Sequence, residues 1–84
     1  MSDHIDAKKL IRRYITDEAD IRAVAERCAL KDVDRRILVM ILAEKHDRGF
    51  VADTLGYSIS QVGRRFSEAL PVFVSVARKL HFIP

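Results

Sequence analysis

Ser58, Ser60, Gln61, Arg64 and Arg65 place compact hydrogen-bonding groups and two guanidinium forks within eight consecutive residues. Arg pairs bidentately with the major-groove edge of guanine or with a phosphate, and Ser and Gln bond to base edges. Just upstream, Lys45, His46 and Arg48 supply positive charge of the kind that holds a phosphate backbone. Ten of the fifteen Lys and Arg residues are Arg, which suits the same contacts. The net charge of +3 adds only a slight lean toward an anionic partner.

Catalytic and metal chemistry find less material. His4, His46 and His81 are far apart and have no ligand spacing with the single Cys28. There is no Gly-rich phosphate loop, and Asp and Glu gather at helix starts. No enzyme activity and no cofactor are expected. Cys28 has no partner for an internal disulfide and reads as a small buried hydrophobe. The first six residues lack a basic segment followed by an apolar one. The longest apolar run, Ile37 to Ala43, is far shorter than the roughly 18 residues that span a bilayer. A cytoplasmic protein with no membrane contact is expected.

The elements that must position these residues are helical: apolar residues recur at helical spacing and nowhere alternate. At 84 residues and 49% hydrophobic composition, one domain with a modest core is expected. Residues 1–30 read as an N-terminal helical pair. Its first stripe is Ala7, Leu10, Ile11, Tyr14 and Ile15, with Lys8, Lys9, Arg12 and Arg13 on an outer face. Its second is Ile21, Val24, Ala25 and Cys28, capped by Thr16 or Asp17. A third helix starts near Asp32 or Asp34, and its apolar run suggests that the others pack around it.

Asp47 caps a fourth helix, with Phe50, Val51, Ala52 and Leu55 expected inward and Gly56 ending it. Ser58 and Gln61 form a Ser-x-x-Gln capping box for a helix that should bury Ile59, Val62, Phe66 and Leu70. Pro71 either kinks that helix or opens a last one over residues 71–84, with the stripe Phe73, Val76, Ala77 and Leu80. The expected fold is a compact all-α domain of five to six helices.

Residues 47–70 meet the spacing of a helix-turn-helix. Ala52 permits close crossing, Gly56 makes the turn, and Val62 locks the second helix onto the first. An ordinary helical hairpin shares this spacing, so the outward face of the second helix separates the two readings. Ser60, Gln61, Arg64 and Arg65 there are base-reading types, where a merely solvated face would more often mix Lys and Glu.

Over residues 32–70 the pattern resembles region 4 of bacterial sigma factors, a likeness shared with LuxR-type domains. Arg35-Arg36-Ile37-Leu38-Val39-Met40 stands at the family's Arg-Glu-aliphatic-Leu-x-Leu helix. Phe50-Val51-Ala52-Asp53-Thr54-Leu55-Gly56-Tyr57-Ser58 stands at its Glu-Ile-Ala-x-x-Leu-Gly-Ile-Ser hairpin. Val62-Gly63-Arg64-Arg65-Phe66-Ser67-Glu68-Ala69-Leu70 stands at its Val-x-x-Arg-Leu-x-x-Ala-Leu end. Phe50 and Arg36 replace acidic residues of that pattern, and the chain has no room for the promoter-melting region 2. The resemblance implies a DNA-reading helix over residues 58–70 rather than a complete sigma factor.

Two functions follow as expectations. One is a transcriptional regulator that binds double-stranded DNA, as a homodimer with Val72, Val74, Phe82 and Ile83 as candidate interface residues. The other is a protein-interaction module that docks on RNA polymerase or a sigma partner without reading DNA. Its candidate surfaces are the basic Lys8–Arg13 face and the acidic Asp17–Asp20 cluster.

Overall fold

The helices that begin at Glu18, Arg48 and Ile59 start beside a side-chain acceptor, and the one that begins at Asp32 starts with an acidic first turn. A computed structural model describes residues 3–84, with side chains from Ala7 onward. The reading of residues 1–6 as leaderless, and His4 as a metal ligand weighed and set aside, lie outside the described side chains. Five α-helices follow in order: α1 (Asp3–Tyr14), α2 (Glu18–Arg27), α3 (Asp32–Leu38), α4 (Arg48–Leu55) and α5 (Ile59–Lys79). Among the described residues there is no strand.

Asp17 caps α2 by accepting the Ala19 N–H at 2.9 Å, and Asp47 caps α4 by accepting the Phe50 N–H at 2.8 Å. At the start of α5 the box is complete. Ser58 Oγ accepts the Gln61 N–H at 3.1 Å, and Gln61 Oε1 accepts the Ser58 N–H at 2.8 Å. Stops are equally local. Gly56 has φ +77°, and both its N–H and that of Tyr57 reach the Ala52 carbonyl. His81 takes a left-handed conformation after α5, and Phe82 N–H returns to the Ala77 carbonyl.

Two expectations about the helices change. The apolar run after α3 is not a plain α-helix: Val39–Ala43 winds as a π-helix, ended by Lys45 at φ +62°. It is also not the centre of the fold, because Val39 and Ile41 remain partly exposed. The centre is α5, against which α1, α2, α3 and α4 all pack. Residues 71–84 do not form a separate helix either. Pro71 lies inside α5, on its exposed face, and the helix continues to Lys79.

Phe66, Leu70 and Phe73 on α5 are fully buried, together with Ile11 on α1, Val24 on α2, Ile37 and Leu38 on α3, and Val51 on α4. The N-terminal pair is therefore part of the core. The Cα radius of gyration is 11.9 Å, close to the ~12 Å usual for a single domain of this length. No charged or polar residue is buried among the described residues. None of the helices there is long and apolar enough to cross a membrane.

Candidate nucleic-acid interface

The α4–α5 hairpin is set by the packing of α4 on α5 and of α5 on α3. Val51 and Ala52 on α4 and Val62 on α5 are buried against one another's helices, with the three-residue turn Gly56-Tyr57-Ser58 between. On the far side of α5's first turns, Arg65 reaches back to α3. Its Nη1 donates to Asp34 Oδ1 at 3.0 Å, and the guanidinium lies 5.2 Å from the centre of the Tyr57 ring. The hydrogen bond to Asp34 holds the Arg65 pKa above its ordinary value, so this arginine is a fixed cation. The pair anchors the N-terminal half of α5 on α3.

This anchoring changes the expected roles of several residues. Arg65 was expected on the outward face; it is partly buried and engaged within the fold. Ser58 and Gln61 spend one acceptor each on the capping box, though both stay exposed. Ser60 and Arg64 are exposed, and Arg64 has no ion-pair partner among the described residues. At 3.6 residues per turn, Arg64 points directly away from the buried Val62, Phe66 and Phe73. Ser60, Gln61 and Arg64 are thus brought together on the exposed face of one rigid helix.

Upstream residues form a second strip. Lys45 is exposed. His46 stacks on Phe50 with ring centres 4.1 Å apart, and its Nε2 lies 3.4 Å from Glu44 Oε1. Arg48 is exposed and lies against α5: a Cβ at Gly63 would sit 3.6 Å from its Nη1. A Cβ there would make only ordinary van der Waals contact with the guanidinium, so Arg48 lies close along the flank of α5 without requiring glycine at position 63.

Two apolar residues of the hairpin are out of place with the expected pattern. Phe50 is 49% exposed and Ile59 is 60% exposed. Phe50-Val51-Ala52 cannot all face inward, because each residue turns the helix by about 100°. Val51 and Ala52 take the core side and Phe50 is left outside. Ile59 has the right phase, yet the first turn of α5 overhangs the core. Both exposures were hidden in a sequence that marks only period.

The candidate dimer residues divide similarly. Val74 and Ile83 are buried within the chain, at 8% and 2% exposure, and so cannot form a contact surface. Val72 and Phe82 are partly buried. Among the described residues, no group of three or more His, Cys, Asp or Glu gathers to hold a metal. No family model matches the chain, and no curated protein and no solved structure matches it either.

Proposed function

We propose that the chain is a sequence-specific DNA-binding transcriptional regulator whose α4–α5 hairpin acts as a helix-turn-helix. The N-terminal half of α5 enters the major groove, with Ser60, Gln61 and Arg64 facing base edges. The observation that carries this reading is the convergence of those three exposed side chains on the one helix face opposite the core. Lys45 and His46 just before α4, and Arg48 at its start, suit the phosphate backbone. Ser58 and Arg65 serve this reading indirectly, by capping and anchoring the helix.

One hairpin offers a small contact area, so two copies on a two-fold site fit the proposal best. With Val74 and Ile83 in the core, the candidate contact surface reduces to Val72 and Phe82. Light scattering checks this: a Val72→Glu, Phe82→Glu variant with the same mass as wild type would remove the dimer from the account. Selection from a pool of random duplexes tests DNA reading itself. Enrichment of one motif supports it, and recovery of no sequence preference contradicts it.

The exposed Phe50, stacked on His46 at the start of the hairpin, favours a second reading. In it the same face docks on a protein such as RNA polymerase. Co-purification with polymerase that survives nuclease and is lost in Phe50→Ser distinguishes this reading from DNA binding.

A further inference from the structure

Two cations from two helices meet over one aromatic ring at the junction of α1, α4 and α5, with a third close behind them on α1. The Lys8 ammonium lies 5.9 Å from the centre of the Phe66 ring and the Arg48 guanidinium lies 5.8 Å from it. Arg12, one turn along α1 from Lys8, is close enough to act on the Lys8 charge. Gly63 keeps the adjoining flank of α5 free of side chain. None of the three cations has a carboxylate within ion-pair distance among the described residues, whereas Arg22, Arg35 and Arg65 all do.

Like charges so placed repel, and the fold gains nothing from their company except the faces of Phe66. We propose that Lys8, Arg12 and Arg48 form a phosphate-binding cluster, in which α1 adds a backbone contact beside the proposed reading helix. The inference rests on the DNA-binding reading for the source of the phosphate, a nucleic-acid backbone, but not for the anion site itself. Burial first, and then the charges of Arg12 and Arg48, lower the Lys8 pKa, a cost that a bound phosphate reverses. The chemistry is electrostatic and carries no base information, so its loss weakens binding to all sequences alike.

The test uses the full chain and two probes. With a labelled duplex, log Kobs is measured against log[KCl] for wild type, Lys8→Gln, Lys8→Arg and, at the end of α5, Lys79→Gln. Loss of one phosphate contact lowers the magnitude of the slope by about 0.9. Lys8→Gln should show that drop, while Lys8→Arg and Lys79→Gln keep the wild-type slope. An unchanged slope in Lys8→Gln overturns the cluster as a backbone contact. With inorganic pyrophosphate, amide shifts in two-dimensional NMR should concentrate at residues 8–12, 48–49 and 63 and vanish in Lys8→Gln. Shifts spread over all basic residues, or none, overturn the anion site. Pyrophosphate binding here by a chain that binds no duplex would uphold the site for free phosphate and sink the DNA reading alone.

Discussion

Arg64 and Arg65 are neighbours in the chain with opposite surroundings. Arg65 is held by Asp34 and Tyr57, and Arg64 projects into solvent. Arg65→Ala should therefore lower Tm by releasing α5 from α3, as thermal unfolding by circular dichroism would show. Arg64→Ala should leave stability within about 0.5 kcal/mol of wild type, the usual range for an exposed residue. Lys45 carries a different conflict. It holds a left-handed backbone that costs roughly 1 kcal/mol for a residue with a Cβ. Lys45→Gly should raise stability by about that amount in urea unfolding while weakening duplex binding. Cys28 sets a pH dependence. Its thiol is buried and donates to the Val24 carbonyl at 3.3 Å. Burial raises its pKa above 9.0, outweighing the opposing effect of Arg35. Above pH 9 the unfolded chain has lost a proton that the folded chain retains, so stability should fall as pH rises from there. A Cys28→Ala variant should lose that part of the slope.

At the scale of elements, the most unusual feature is an unbroken α5. Pro71 has no N–H to give the Ser67 carbonyl and disfavours a helix interior by about 3 kcal/mol. The helix survives because both halves bury apolar side chains, Phe66 and Leu70 before Pro71 and Phe73 and Val74 after it. Pro71→Ala should raise stability by up to about 3 kcal/mol, measured by denaturant unfolding; a loss of stability would mean that the ring is packed rather than tolerated. The caps and turns were legible in the sequence, because Asp47, Gly56, Ser58 and Gln61 act on backbone three or four residues away. The course of the chain through Pro71 was not, since it depends on packing from four other helices. The π-helix at Val39–Ala43 escaped for the same reason: period alone does not record how tightly an apolar run is wound.

For the whole molecule, the candidate site depends on contacts across the sequence that spacing cannot reveal. Asp34 and Arg65 are 31 residues apart, and Lys8 and Phe66 lie at opposite ends of the chain. The helical class and most of the core stripes were readable, since Ile11, Ile15, Ile21, Val24, Val62, Phe66 and Phe73 are buried as their periodicity implies. Which polar residues the fold engages was not readable: Arg65 is held by Asp34, Ser60 and Arg64 stay exposed, and Gln61 is exposed with its Oε1 held by the Ser58 N–H. Phe66 joins these scales. It is fully buried, carries Lys8 and Arg48 on its ring, and fixes α5 in the core. Phe66→Ala should cost about 3–5 kcal/mol and collapse both the fold and the interface in one unfolding experiment. In the proposed function the exposed face of α5 reads bases. The most direct measurement is the affinity of Arg64→Ala for a duplex enriched by selection and for a scrambled duplex, at one fixed salt concentration. The account predicts a loss of about 1–3 kcal/mol on the enriched duplex, with a much smaller loss on the scrambled one. Equal losses on both duplexes, or none, would contradict it.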